Sequence, residues 1–410
     1  MTAYFKALFS KGPRTGAIDP VLGAIVVALM AFGVVMVESA GVIEATSDFG
    51  DPHHFLKRQG AFSLVALLVL YGVSKFDYHK VRLLTYPTLF VVVLLMMLSV
   101  LGFGHSGGGA ARWLKVGPIH VQPSEMAKVA LVLWLAYSLE KKGERVKSFS
   151  IGLVPHFLVL GLLTVICLKQ PDFGSAAVLL FLTFAMLFVA GARVSYLMGA
   201  LAAVALVALW AVRFTAYRWE RVVAWLNMTD HRQDLAYQPF QAAVSFGSGQ
   251  WFGQGLGRGL QVLYLPESHT DFISAIIGEE LGFFGILLLA LAYLWLVGRG
   301  IRIALSAEDE YGSHVAFGLS MFFGVQALVN LAVSMSILPT KGLTLPFISY
   351  GGSSLLVNAA AMGILLNVSR PRAPVSSAPY TSFPAEATDA LFQGSEFGSS
   401  PLERAGGLSL

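Results

Sequence analysis

Long apolar runs, broken by short polar or basic intervals, set the pattern of this chain. Ten of them are long enough to cross a bilayer, near 18–39, 59–75, 84–103, 124–140, 151–168, 174–191, 195–212, 272–298, 315–338 and 351–369. About 20 helical residues cover the hydrocarbon core. The pattern predicts an all-α polytopic membrane protein with ten transmembrane helices. The first run follows a basic leader (Lys6, Lys11, Arg14) and ends at Glu38 without a small-x-small cleavage pattern, so a retained spanning helix is expected. Between the seventh and eighth runs lies a long segment, 213–271, rich in Trp, Tyr, Gly and Arg. It is expected to fold against the membrane surface, partly as amphipathic helix. From 371 onward the chain is rich in Ser, Pro, Ala and Gly and reads as disordered. The expected plan is therefore an N-terminal tail 1–17, a membrane domain 18–370 and a tail 371–410.

Composition agrees with the pattern. The 410 residues are 56% apolar and 13% charged, with a mean hydropathy of +0.68. A soluble domain of that composition would expose large adhesive patches, whereas lipid covers them in a membrane protein. The single cysteine, Cys167, excludes an intrachain disulfide and a cysteine metal cluster. No GxxxxGK[ST] loop is present for nucleotide hydrolysis. The formal charge of +4 matters less than its placement. With the N-terminus inside, the short basic loops around Lys75–Arg82, Lys141–Lys147, Arg193, Arg299–Arg302 and Arg370–Arg372 all become cytoplasmic. Both termini are then cytoplasmic, and 213–271 is extracytoplasmic. Several basic residues, including Arg58, Arg112, Lys115, Lys128, Arg221 and Lys341, fall on the outer side. An outer face meeting something anionic is one reading of them, and solvation of a long loop is the other.

Four short stretches interrupt the oil with chemistry. ESHTDFISAIIGEELG, 267–282, opens the eighth helix with Glu267, Asp271, Glu279 and Glu280. Ser268-x-x-Asp271 fits a capping box, and a first-turn carboxylate suits the helix dipole. The apolar, Pro-containing LYLPES before it favours a shielded acid instead, and shielding raises a carboxyl pKa towards that of a general base. Glu279 and Glu280 lie deeper and are expected to form a buried polar network. GGGAARWLKVGPIHVQPSEMAK, 107–128, presents Arg112 and Lys115 on a glycine-rich loop and then enters a helix through Pro123. Glu125 and Lys128 share a helix face and are expected to pair, with Lys128 also a candidate for an anionic headgroup. The forked donors of Arg112 suit a pyrophosphate. LKQPDFGSA, 168–176, places Asp172 either in a tight turn or in a re-entrant break. LPTKGLTLPFISYGGSS, 338–354, puts two prolines, three glycines, Lys341 and Ser353 where irregular backbone is tolerated only beside a cavity. Gln326 and Asn330, one turn apart, are expected to bond between helices. Under one topology Asp271, Glu125, Lys128, Arg112, Asp172 and Lys341 all gather near the outer leaflet. That grouping fits chemistry on a lipid-tailed substrate with an anionic headgroup.

The same stretches, with YQPFQAAVSFGSGQWFGQGLG at 237–257, resemble the SEDS family (shape, elongation, division and sporulation) in order and spacing over roughly 15–370. LPTKG followed by TLPFISYGGSS is more similar to the division branch than to the elongation branch. The resemblance implies a ten-helix peptidoglycan glycosyltransferase that polymerises lipid II, the disaccharide-pentapeptide on undecaprenyl pyrophosphate. It works at the septum in the inner membrane, with its active site on the extracytoplasmic side. The implied partners are membrane lipids, a class B penicillin-binding protein of the FtsI type and other division proteins, with no nucleic acid. Asp271 matches the family's essential aspartate. Arg112, Glu125, Lys128 and Asp172 match charged positions of its cavity, and Lys115, Gln241, Lys341 and Ser353 are further candidates for substrate binding. Leu263 stands where some members carry a carboxylate. No cofactor is fixed by the resemblance; a divalent cation, Mg or Mn, is one way of neutralising a diphosphate. A lipid II flippase and a division scaffold are the alternative functions. Candidate residues on one side favour the enzyme over a transporter, which needs groups serving both leaflets.

Overall fold

The computed structural model describes residues 16–107, 110–117, 119–340 and 342–371. The N-terminal tail up to 15, all but the first residue of the expected C-terminal tail, and Lys341 lie outside the described residues. The ten apolar runs coincide with α1 (Pro20–Phe49), α2 (His54–Lys75), α4 (Thr85–Leu98), α5 (Pro123–Lys142), α6 (Val154–Lys169), α7 (Phe173–Val189), α8 (Val194–Arg213), α11 (Ile273–Leu305), α12 (Glu310–Ser334) and α13 (Gly352–Val368). Short helices α3 (Tyr78–Leu83), α9 (Ala216–Leu226) and α10 (Tyr237–Gly249) fill the connections. Among the described residues seven segments are long and apolar enough to cross a membrane unaided, while α7 and α13 are apolar but shorter. Helix α5 carries too much charge to qualify by composition, and two of its charges, Glu125 and Lys128, are buried.

The helix ends follow local chemistry. Pro20 opens α1 where its missing N–H costs nothing, and Asp19 accepts from Leu22 N at 2.9 Å. Gly50 closes the helix in the left-handed region. The start of α1 meets the end of α13, because Asp19 N donates to Ser369 Oγ at 3.0 Å. Helices α11, α12, α5 and α13 form the interior, and α12 buries most of its length. Gly33 on α1 makes one close approach, since a Cβ there would lie 2.7 Å from the Cα of Ile348. By contrast α8 buries only Leu197 and turns Leu206, Val207, Leu209 and Trp210 outward. In water that would be untenable; in lipid it is an ordinary surface.

Two features were not predicted by periodicity. The glycine-rich stretch before α5 is a three-stranded antiparallel sheet, β1 (His105–Gly107), β2 (Ala110–Val116) and β3 (Ile119–Val121), with Leu114 opposite Val121. Helix α11 is also broken at Gly282, whose φ of 68° few other residues tolerate. The segment after α10 mends the break. Gln254 N and Gly255 N donate to the carbonyls of Glu279 and Glu280 at 2.9 and 3.0 Å, and Phe283 N donates to Gln250 O at 2.8 Å. Glu279 accepts from Leu260 N at 2.8 Å, and Glu280 accepts from Ser39 Oγ at 2.5 Å. Both carboxylates are thus structural partners of the loop and of α1.

At the end of the bundle opposite the sheet, buried His79 sits between two acids. Its Nδ1 lies 2.8 Å from Asp77 Oδ1 and its Nε2 lies 2.8 Å from Asp309 Oδ2, which also accepts from Tyr78 Oη at 2.6 Å. A neutral imidazole has one N–H and would turn a lone pair on one carboxylate; the imidazolium serves both. Burial opposes the charge, but the hydrogen bonds to Asp309 and Asp77 outweigh it and hold the ring above its ordinary value. A raised histidine pKa contributes stability that is complete below about 6.5 and fades as pH rises through the raised value. Replacing His79→Gln is therefore expected to cost about 2 kcal/mol near pH 6, discounted for carboxylates that partly face solvent. The cost should shrink by pH 9, as read by thermal unfolding in detergent at both pH values.

Candidate functional site

Asp172 and Asp271 illustrate two fates of a turn aspartate. Asp172 is 3% exposed and caps α7, with Oδ1 accepting from Ser175 N at 3.0 Å and Oδ2 accepting from Ser124 Oγ at 2.8 Å. Its partner residue Gln170 donates to Met96 O at 3.0 Å and to Ser99 Oγ at 2.6 Å, which ties the turn to α4. Both carboxylate oxygens of Asp172 and the amide nitrogen of Gln170 are thus engaged within this QPD corner. Asp271 is not a cap. Helix α11 starts at Ile273 with Phe272 at its N-cap and no side-chain cap bond. Ser268, the other half of the expected capping box, donates instead to Ala40 O at 2.9 Å. The Asp271 carboxylate is left to face a cavity.

That cavity, of about 670 Å³, lies between the sheet, α2, α9, the turn before α11 and the broken 340–353 segment. Of the candidate residues, Arg112, Glu125, Asp271 and Ser353 lie on its wall. Lys115, Lys128, Asp172 and Gln241 are not among its lining residues, and Lys341 lies outside the described residues. Lys128 is wholly buried, its Nζ donating to Glu125 Oε1 at 2.7 Å and to Gln326 Oε1 at 3.1 Å. An ammonium so enclosed is not available to a headgroup. Among the described residues, the cations that do reach the wall are Arg58 on α2, Arg112 on β2 and Arg221 on α9. Sequence reasoning placed Arg58 and Arg221 only within an outer basic surplus; that surplus was the signal. Arg112 is anchored by its Nε to Gln170 O and by its Nη2 to Pro171 O, both at 2.9 Å, so the QPD corner holds the guanidinium at the wall.

Burial, with the Glu267 carboxylate close by, pushes the Asp271 carboxyl up to about 7 against the pull of Arg112. Such a carboxylate can take a proton near neutral pH. Two further atoms on this wall lack partners. Glu125 Oε2 and Ser353 Oγ are buried at the wall and have no hydrogen-bond partner among the described residues. A buried polar atom left unpaired costs about 1–3 kcal/mol, which a ligand can recover. Among the described residues no three His, Cys, Asp or Glu side chains come together as a metal site. The donor set does not by itself fit a resident ion, and no step below is routed through one.

These features define a polytopic helical membrane protein with an acid and several guanidinium groups around one cavity. The chain belongs to the FtsW/RodA/SpoVE family, whose model, described as a cell cycle protein, matches residues 20–373. It is 43% identical over 358 residues to the probable peptidoglycan glycosyltransferase FtsW of Trichlorobacter lovleyi, covering 87% of this chain and 94% of that one. Its identity to the protein of the same name from Geobacter metallireducens is 44%, covering 86% and 94%. Among solved structures, a chain of a peptidoglycan synthase complex that coordinates polymerization and crosslinking superposes with a TM-score of 0.72 at 31% identity, covering 86% and 98%. The rod shape determining protein RodA of Thermus thermophilus superposes with a TM-score of 0.65 at 30% identity, covering 88% and 100%.

The pairing of Lys128 with Glu125 sets a clear expectation. Lys128→Met strands a buried carboxylate and should destabilise the protein by about 3 kcal/mol. The double variant Lys128→Met/Glu125→Gln, which removes both charges, should recover most of that loss in thermal unfolding.

Proposed function

We propose that the chain is a peptidoglycan glycosyltransferase that polymerises lipid II into glycan strands during septal wall synthesis, with Asp271 as general base. The observation that carries this reading is the cavity-facing Asp271 carboxylate, spared from capping and shielded until it titrates near 7. Further support comes from relatives named as glycosyltransferases and from the match to a synthase-complex chain. Asp271 takes the proton of the acceptor sugar's 4-hydroxyl as that oxygen attacks the donor's anomeric carbon. The bond from that carbon to the diphosphate oxygen breaks, and the undecaprenyl diphosphate leaves with the bonding electrons. Arg58, Arg112 and Arg221 meet the charge that develops on it, a role in which forked donors are effective. Glu125 Oε2 and Ser353 Oγ receive polar groups of the sugar or peptide. No nucleotide is required, because the phosphate-linked donor already carries the driving force.

The acid and the guanidinium groups gather at one end of the bundle, which favours an enzyme over a transporter. That end is read as extracytoplasmic in the inner membrane, with both termini cytoplasmic and ten helices spanning. A class B penicillin-binding protein is the partner most consistent with the synthase-complex match.

Purified protein given labelled lipid II in detergent, where no two leaflets exist, separates polymerisation from transport. Asp271→Asn is expected to lower polymerisation by about 10²-fold or more while the protein still accumulates and folds. Full polymer from that variant would remove Asp271 from the chemistry. Because the base must be ionised, the wild-type rate should fall as pH drops through about 7. Arg58→Ala should raise KM about tenfold, the equivalent of losing one charged hydrogen bond of ~1.5 kcal/mol. The KM series over the same substrate measures it.

A further inference from the structure

Asn330 on α12 is 2% exposed, and every polar atom of its side chain is engaged near the Asp271 turn. Its Nδ2 donates to the Asp271 carbonyl at 2.9 Å and to the Leu343 carbonyl at 2.7 Å. Its Oδ1 accepts from Ser274 Oγ at 2.9 Å, and that hydroxyl also meets Ser334 Oγ at 2.7 Å. The two backbones joined by this one amide form two sides of the carboxylate's seat. One carries Asp271. The other carries Gly342, where an added Cβ would stand 2.8 Å from Asp271 Oδ2. The neighbouring carbonyls are held separately, His269 O by Tyr350 N at 2.9 Å and Thr270 O by Ser349 Oγ at 2.6 Å.

We propose that Asn330 is a positioning residue for glycosyl transfer, its amide fixing the Asp271 backbone against the Gly342–Leu343 wall so that the carboxylate is aimed into the cavity. The proposal rests on the reading of Asp271 as the base. The residue type suits the task. One neutral nitrogen supplies two donors, the oxygen supplies the acceptor that Ser274 needs, and no charge is added beside the acid. Aspartate would turn an acceptor on two carbonyls, and serine has a single O–H to divide between them. The consequence is kinetic, because a misplacement of about 1 Å at a reacting group costs up to 10²-fold. Asn330 does not itself line the cavity, so its loss leaves substrate affinity in place.

The test uses the full-length protein in detergent with labelled lipid II, beside wild type and Asp271→Asn. Inactive wild type, or active Asp271→Asn, would sink the reading of the base itself and not the role of Asn330. Given a working base, Asn330→Ala should lower kcat at least tenfold with KM within threefold of wild type. Ser274→Ala, which removes the hydroxyl that orients the amide, should lower kcat severalfold in the same way. Gly342→Ala, which crowds the carboxylate from the opposite side, should also lower kcat with KM held. A readout independent of turnover is modification of Asp271 by a hydrophobic carbodiimide, which takes the carboxyl proton and is then attacked at its central carbon by the carboxylate oxygen, followed by peptide mass spectrometry across pH. A loosened seat lets in water, so the labelling midpoint should move below that of wild type in Asn330→Ala and Ser274→Ala. Unchanged kcat in Asn330→Ala would overturn the proposal, as would a loss of activity with the labelling midpoint unmoved. If Asn330→Ala fails to accumulate, Ser274→Ala decides: wild-type kcat and an unmoved midpoint in that variant refute the role.

Discussion

A polar group carried into an apolar layer has to find its partners within the chain, because lipid supplies none. In this fold the rule settles which charged side chains are available for chemistry. Lys128, Asp172, Glu279 and Glu280 each look from their positions like functional charges. Each is consumed: by Glu125 and Gln326, by a helix N-terminus and Ser124, by a loop backbone, and by Ser39. At the cavity the internal accounting leaves over the Asp271 carboxylate, one oxygen of Glu125 and the hydroxyl of Ser353, with the guanidinium groups of Arg58, Arg112 and Arg221 on the same wall.

The irregular backbone obeys the same constraint. The break of α11 at Gly282 frees carbonyls that the 250–255 segment covers with its own N–H groups. The QPD corner gives up helix continuity and in return presents two carbonyls to Arg112. Non-helical chain at this depth is stable only because another element pairs with it. Those pairings also place side chains where a straight helix would not. Arg112 reaches the cavity wall from a strand, Asp271 from a turn, and Ser353 from the first residues of α13 after an extended approach.

Much of this was legible in the chain. Apolar run length alone located the ten long helices, because spanning length is a strong, local signal, but it stopped short of the end of α1 at Phe49 and of α11 at Leu305. The N-terminus of α11 was legible only in part. Ser268 and Asp271 have capping spacing, yet Ala40, which is 228 positions from Ser268, claims the hydroxyl. The sheet at 105–121 was missed because its strands are three to seven residues long and held by pairing, not by alternation. The selection among cations was illegible for the same reason. Sequence spacing makes Lys128 and Arg112 look alike as phosphate ligands, while Arg58 and Arg221 look like loop solvation. Only packing between distant elements shows that the lysine is enclosed and that Arg58 and Arg221 line the cavity.

The shielded acid also has two opposing requirements. Burial makes the carboxyl more basic, but a buried carboxylate usually recruits donors that lower its basicity again. Here the surrounding donors are directed elsewhere. Asn330, Ser349 and the Tyr350 amide bond to the carbonyls of residues 269–271, and Ser268 bonds to α1. The chain around Asp271 is thus tightly held while its carboxylate has no hydrogen-bond partner among the described residues. A helix-capping aspartate cannot be in that state, because the cap itself supplies N–H donors, as it does for Asp172. Placing the acid two residues ahead of the first helical residue is what keeps its side chain rigidly mounted and chemically unspent.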